Sequence, residues 1–200
     1  MKNIIGLMLI KKESQRLKNK NWRYYKGKPM YIWNLEKCLM VFNEVYVSSD
    51  DEKILNKAEE MGGYGLVRPT TLLEATNIEC YQHVMERTDA DAFVAVQANS
   101  PETGAKLIKY AKDLLQLGHE EVKTSHRDGS DYGSIWGMTK ERLNKYPDPY
   151  NAKPSYWITD FSTDIHTIED LYKSYEEVKN YNAKKYENHS RGGTFTQRKY

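Results

Sequence analysis

Residues 3–21 read NIIGLMLIKKESQRLKNKN, and within them an apolar run passes directly into a basic segment. The run 3–10 is short, continuous and rich in branched side chains, which is typical of a strand buried on both faces of a sheet. The segment 10–21 then presents cationic and hydroxyl groups from Lys11, Lys12, Ser14, Arg16, Lys18 and Lys20. Because ligands of open α/β sheets bind at the carboxyl ends of strands, we interpret this segment as a polyphosphate-binding loop. A solvated basic loop is the alternative.

The composition of the chain limits the kinds of partner that it can have. It has 200 residues, which fits one domain with a hydrophobic core of its own. The 30 basic and 28 acidic residues leave a formal net charge of +2. This balance gives no electrostatic reason to expect nucleic acid or an anionic membrane as the main partner. No apolar stretch approaches the roughly 20 residues of a transmembrane helix, so we expect no membrane span.

The two cysteines, Cys38 and Cys80, are far apart in the sequence. They show neither the spacing of a metal site nor a disulfide framework. Both fall in segments with an apolar, helical pattern, which favours buried free thiols. Free thiols are typical of a reducing compartment, and we therefore expect a cytoplasmic protein.

Apolar patterns predict strands that alternate with helices along the chain. The predicted strands are 3–10, 44–48, 65–67, 92–97, 121–125, 134–138 and 155–159. The predicted helices are 30–41, one between a cap at 49–51 and a stop at 62–63, 78–87, 102–116 and 167–184. Such alternation is typical of an α/β protein with a mostly parallel sheet and helices on both faces. We expect this domain to cover residues 1–186, followed by a polar, flexible tail over 187–200.

Six short motifs stand in order at predicted strand ends and helix starts. They are Ser14-x-Arg16-Leu17-x-x-Lys20-Asn21, Gly27-Lys28-Pro29, Val47-Ser48-Ser49-Asp50, Arg68-Pro69, Gln97-x-x-Ser100-Pro101 and Asp164-Ile165-His166-Thr167-x-Glu169-Asp170-Leu171. Together they resemble the CMP-sugar synthetases, the cytidylyltransferases that activate sialate and ketodeoxyoctonate, over about residues 4–180. The resemblance implies a Rossmann-like nucleotide-diphospho-sugar transferase fold. It also implies an enzyme that joins CTP to a sugar acid or other hydroxylated acceptor and releases pyrophosphate, with a homodimer left open.

The resemblance implies a phosphate-binding role for the basic segment. Ser14, Arg16 and Lys20 would hold the triphosphate of CTP. Lys20 and Asn21 would lie near the α-phosphate and the ribose. Lys11 stands where the family usually has arginine, so the positive charge is kept while the bidentate fork of donors is lost.

The motifs further along the chain imply the contacts to the base and the acceptor. Arg68 would face the base or the ribose, and an ordinary strand-end arginine paired with a carboxylate is the alternative. The Gln97 amide would bind a hydroxylated acceptor with support from Ser100, and Ser100-Pro101 would also begin the next helix. We expect Asp50 to be a helix cap rather than a ligand.

The predicted metal site depends on Asp164. Mg²⁺ prefers oxygen ligands and commonly takes one or two carboxylates together with phosphates and water. The family usually offers two aspartates two positions apart, but here the second position is His166, and imidazole is a poor ligand for Mg²⁺. We therefore expect Asp164 to bind Mg²⁺, with Mn²⁺ as an alternative. His166 would bind the substrate, act as the base for the sugar hydroxyl, or be a capping or surface histidine.

Departures from the family pattern support a second hypothesis, a catalytically altered nucleotide-binding protein that acts as an interaction module. Lys11, Glu13 and His166 motivate it, because each replaces a residue type that the family usually has there. Glu79 also occupies a place that often carries a small hydroxyl residue. A glycosyltransferase of similar fold is disfavoured, because residues 98–100 read Ala-Asn-Ser where an acidic pair would be required.

Overall fold

The computed structural model describes residues 2–14, 16–126, 133–146 and 154–175. The predicted tail over 187–200, the end of the domain near residue 186 and the end of the last helix lie outside the described residues.

A seven-stranded sheet forms the centre of the fold. Seven of the nine strands in the described residues belong to this sheet. The strands are, in chain order, β1 Ile4–Ile10, β2 Tyr24–Tyr25, β3 Lys28–Pro29, β4 Val45–Ser49, β5 Tyr64–Val67, β6 Ala92–Val96, β7 Glu121–His126, β8 Ile135–Thr139 and β9 Tyr156–Asp160. The order in the main sheet is β5-β4-β1-β6-β8-β7-β9, and β2 and β3 form a separate hairpin. Only β8 runs antiparallel to its neighbours in this sheet, so the predicted mostly parallel sheet is confirmed.

Helices cover both faces of the sheet, as predicted. They are α1 Met30–Val41, α2 Glu52–Glu60, α3 Asn77–Met85, α4 Ala105–Gln116, α5 Lys140–Asn144 and α6, which is described over 168–175. Buried side chains of α1, α2 and α4 pack in one core, and those of α3 and α5 pack in a second core. This separation follows from the apolar stripes of the helices, because each helix must bury one face against the sheet. In the described part of the chain, no helix is both long enough and apolar enough to cross a lipid bilayer.

The predicted start of α2 after a cap within 49–51 is confirmed, whereas the predicted capping role of Asp50 and the predicted start of α4 are wrong. The cap of α2 is Asp51, whose side chain accepts a hydrogen bond from the Lys53 amide, and Asp50 is not the cap. The Asp50 side chain instead accepts a hydrogen bond of 2.7 Å from the Lys12 amide. Helix α4 begins at Ala105 rather than at 102, because residues 100–103 form a turn closed by the Thr103 hydroxyl and amide. Ser100 and Pro101 therefore do not begin this helix.

A small third core connects the two ends of the chain that were predicted to form the site. It contains Leu17 of the basic segment, Tyr25 of the hairpin, Met30 of α1, Ile165 and Leu171. All five side chains are buried, and Met30 and Ile165 have no exposed surface. The basic segment after β1 and the segment before α6 are thus packed together, although they are distant in sequence.

Candidate active site

A cavity of about 710 Å³ lies at the carboxyl ends of β1 and β6. Its walls contain most of the side chains that the sequence singled out, namely Lys11, Ser14, Arg16, Lys20, Asn21, Arg68 and Gln97. The position agrees with the rule that ligands of open α/β sheets bind beyond the carboxyl ends of the strands. The basic segment is therefore part of a concave site and not only a solvated loop.

Lys20 and Arg16 form a positively charged wall of the cavity. Partial burial lowers the pKa of the Lys20 ammonium, the neighbouring Asp164 carboxylate raises it, and Arg16 lowers it further. Lys20 therefore interacts electrostatically with both Arg16 and Asp164. An anionic ligand between these groups would favour the charged form of Lys20.

The turn that carries Lys20 is fixed by the two residues after it. Asn21 is buried, and its side-chain amide donates a 2.8 Å hydrogen bond to the Lys11 carbonyl. Trp22 donates from its indole nitrogen to the Asp51 carboxylate at 3.0 Å. These two hydrogen bonds tie the turn to the beginning of the basic segment and to the cap of α2.

The ammonium of Lys11 lies 3.4 Å from the Glu74 carboxylate. Both side chains are well exposed, and exposed pairs of this kind stabilise a protein by only about 0–1 kcal/mol. An anionic ligand can therefore compete with Glu74 for Lys11.

Arg68 is buried at the end of β5 and lines the cavity. Its guanidinium donates to the carbonyl of Ser48 at 2.9 Å and lies 3.4 Å from the Ser48 hydroxyl. Burial lowers the pKa of Arg68, and the Asp50 carboxylate is among the groups that raise it. Within the described ranges no carboxylate lies at ion-pair distance from the guanidinium.

The loop after β6 has one face on the cavity and one face in the core. Gln97 and Asn99 line the cavity, whereas Ser100 is buried behind it. Asn34 of α1 holds the loop from below and donates to the carbonyls of Gln97 at 2.7 Å and Ser100 at 2.8 Å. The Ser100 hydroxyl has no hydrogen-bond partner among the described residues, and Ser100 does not line the cavity. Its support of Gln97 stays a prediction.

We call residues 161–166 the acid loop, because they carry Asp164 from β9 to α6. Asp164 accepts a 2.7 Å contact from His166 Nε2 on one oxygen. Its other oxygen accepts a hydrogen bond from the side-chain amide of Asn99, which lines the cavity. Asp164 and His166 are therefore joined to the edge of the cavity through Asn99, although neither of them lines its wall.

The alternative roles of neighbouring side chains can be decided from their hydrogen bonds. Thr167 caps α6 by accepting from the Asp170 amide, so the His166 side chain is not the cap. Asp160 is buried and accepts from the Ser134 amide and the Ser162 amide and hydroxyl. It is therefore a structural carboxylate.

The unusual glutamates also have local explanations. Glu79 forms a reciprocal capping box with Thr76 at the start of α3, which satisfies two backbone amides. Glu13 is exposed at the rim of the cavity, where it can point into solvent. Glu79 does not line the cavity, whereas Glu13 does.

The donor set fits a cation that is shared with phosphate groups. Among the described residues, no group of three or more histidine, cysteine, aspartate or glutamate side chains could hold a metal ion. Asp164 supplies one carboxylate, and a carboxylate has lone pairs beyond those that Asn99 and His166 use. This matches the way Mg²⁺ is commonly held, by one or two carboxylates together with substrate phosphates and water.

Sequence comparison identifies a family for most of the chain. The profile of the cytidylyltransferase family matches residues 5–191. A relative from Helicobacter pylori, named pseudaminic acid cytidylyltransferase and UDP-2,4-diacetamido-2,4,6-trideoxy-beta-L-altropyranose hydrolase, is 33% identical over 90 residues. That match covers 42% of this chain, and it spans only 17% of the length of the relative.

Solved structures of similar fold include a CMP:2-keto-3-deoxy-manno-octonic acid synthetase in complex with CTP. Its TM-score is 0.71 at 16% identity, over 91% of this chain and 99% of that chain. A cytidylyltransferase from Leptospira borgpetersenii has a TM-score of 0.67 at 17% identity, over 92% and 96% of the two chains. The protein Rv0371c from Mycobacterium tuberculosis in complex with manganese has a TM-score of 0.66 at 13% identity, over 87% and 98%. At these identities the likeness shows the fold.

Proposed function

The chain belongs to the cytidylyltransferase family, and we propose that it joins CTP to the hydroxyl of a sugar acid to give a CMP-sugar and pyrophosphate. The observation that supports this proposal is the cationic cavity after β1. Asp164 lies at its edge, where it accepts a hydrogen bond from Asn99. A triphosphate needs cations, and a nucleotidyl transfer needs an acidic group that can hold a divalent cation beside them.

The residues of the basic segment would hold the triphosphate. Ser14, Arg16 and Lys20 face the same cavity, and Lys11 can leave its weak pair with Glu74 to join them. Arg68 lines the same cavity and would contact the base or the ribose. These side chains would contribute to catalysis by positioning the α-phosphorus and by neutralising charge on the departing pyrophosphate.

The reaction is a single displacement at the α-phosphorus of CTP. The acceptor hydroxyl oxygen forms a bond to this phosphorus while the bond from the phosphorus to the α,β-bridging oxygen breaks. The electron pair of the broken bond leaves with pyrophosphate, next to Lys20 and Arg16. The proton of the acceptor hydroxyl leaves to a base, and the imidazole of His166 is our candidate for it.

Asp164 would hold the divalent cation together with phosphate oxygens of CTP. The bound cation would supply further neutralisation of the phosphate charge. We assign Mg²⁺ as the cation, with Mn²⁺ as the alternative, because a carboxylate and phosphates are hard oxygen ligands.

The acceptor would bind on the side of the cavity formed by the loop after β6. The Gln97 amide offers both a donor and an acceptor to sugar hydroxyls. The names of the similar proteins give the first acceptors to try, pseudaminic acid and 2-keto-3-deoxy-manno-octonic acid.

The test is a pyrophosphate-release assay with CTP, Mg²⁺ or Mn²⁺, and a panel of sugar acids. The proposal predicts release that requires all three components and a CMP-sugar product detected by mass spectrometry. Thermal stabilisation by CTP without turnover of any acceptor would instead support the alternative of a catalytically altered nucleotide-binding protein.

A further inference from the structure

We propose that Asn99 is a positioning residue that fixes the acid loop at the edge of the nucleotide cavity, and this inference rests on the proposed function. Asn99 is only 6% exposed and lies three residues after the end of β6. It stands between the cavity wall and Asp164, so it can determine where that carboxylate lies relative to the phosphates.

Three contacts join Asn99 to the acid loop. Its side-chain amide donates to the Asp164 carboxylate and lies 3.4 Å from the Ile165 carbonyl. Its own carbonyl accepts a 2.9 Å hydrogen bond from the Ile165 amide. Ile165 is fully buried in the small core with Leu17, so the loop is held from two sides. Lys20 acts on Asp164 from the same wall through its charge, but among the described residues that line the cavity only Asn99 donates a hydrogen bond to Asp164.

Asn99 can act as an anchor because its own loop is held from below. The fully buried Asn34 donates to the carbonyls of Gln97 and Ser100, on either side of Asn99 in sequence. The ammonium of Lys37 donates to the Pro101 carbonyl at 2.6 Å. The position of Asn99 is therefore set by α1 and β6, independently of the acid loop that it orients.

The chemistry of an amide suits this task. Asn99 donates a hydrogen bond to Asp164 and adds no charge, so Asp164 keeps its negative charge for a cation. An aspartate at position 99 would place a second carboxylate against Asp164 and repel it unless a cation lay between them. A leucine of similar size would leave the oxygen of Asp164 without its donor.

The test compares Asn99→Leu and Asn99→Asp with the wild type, and uses Asn43→Leu, at an exposed position before β4, as the matched control. Hydrogen–deuterium exchange of the segment 161–175 is measured without nucleotide, with and without Mn²⁺, and kcat, the KM for CTP and the affinity for CTP are measured in parallel. We expect faster exchange in both Asn99 variants and a fall in kcat of about 10- to 100-fold, with little change in CTP affinity. Mn²⁺ should restore slow exchange in Asn99→Asp and not in Asn99→Leu.

Each outcome decides the proposal. Unchanged exchange in both variants would overturn it, and so would a loss of CTP affinity as large as the loss in kcat, which would make Asn99 a direct nucleotide contact. If the wild type turns over no acceptor while exchange still accelerates in the variants, the proposed function fails and the anchoring role of Asn99 stands. If Asn99→Leu does not fold, the Mn²⁺ dependence of exchange in the isosteric Asn99→Asp decides alone.

Discussion

Leu17 and Ile165 are buried in the same small hydrophobic core, which packs the basic segment against the acid loop. We therefore expect the basic segment and the acid loop to depend on the same small core for their positions. Leu17→Ala should lower the free energy of unfolding by about 2–5 kcal/mol, the usual cost of emptying a buried leucine site. It should also weaken CTP binding, because Lys20 loses its support.

The control for this change is Leu117→Ala, since Leu117 is 80% exposed at the end of α4. Its effect on stability should stay within about 0.5 kcal/mol. Chemical denaturation and calorimetric CTP binding measure both quantities. Equal stability of Leu17→Ala and the wild type would show that the small core does not hold the segment.

Lys20→Ala should lower kcat by about 10²- to 10³-fold, the range found when one group that stabilises transition-state charge is removed. Lys18→Ala is the matched control, because Lys18 is exposed in the same segment and does not line the cavity. Pyrophosphate release measures both variants. Similar losses for Lys18 and Lys20 would mean that the net charge of the segment matters and its geometry does not.

Asp164→Asn and Asp160→Asn should fail in different ways, although the two aspartates are neighbours in sequence. Asp164→Asn should abolish the response of the enzyme to Mg²⁺ and Mn²⁺ while keeping the melting temperature, because its side chain is partly exposed. Asp160→Asn should lower the melting temperature, because Asp160 is buried and accepts three hydrogen bonds. Metal titrations and thermal melts separate the two effects. A lower melting temperature for Asp164→Asn together with a lost metal response for Asp160→Asn would contradict the assigned roles.

Stability should depend on pH through Lys37. Burial lowers the pKa of its ammonium to about 8, from an ordinary value of 10.5. Between these two values the unfolded chain binds more protons than the folded chain, so this residue makes stability rise with pH over that window. Lys37→Met should remove this contribution to the pH dependence of stability. Denaturation at pH 7.5 to 10.5 measures it, and an identical pH profile in the variant would contradict the assignment.

Several elements could be predicted because their signals are local. Helix α1 has the predicted limits, since its apolar residues repeat at helical spacing after a proline. The basic segment was recognisable because a buried strand runs into a cluster of cations. The two-residue strands β2 and β3 and the short helix α5 were missed, because such short elements have no periodicity to detect.

Other features depend on tertiary contacts, which leave no pattern in the sequence. Asp50 and Asp51 are equally good caps in sequence, and only the hydrogen bond from the Lys53 amide to the Asp51 carboxylate shows which one caps α2. The support of the loop after β6 by Asn34 joins positions more than sixty residues apart and leaves no local pattern. The same holds for the bond from Asn99 to Asp164, which brings the acid loop to the cavity.

The central claim is that Lys20 and Asp164 act on the phosphates of one bound CTP. A crystal structure with CTP and Mn²⁺, in which anomalous scattering locates the metal, tests it most directly. We predict the triphosphate in the cavity beside Lys20 and Arg16, with Mn²⁺ bound by the Asp164 carboxylate and by phosphate oxygens. Nucleotide bound outside this cavity, or Mn²⁺ with no bond to Asp164, would contradict the account.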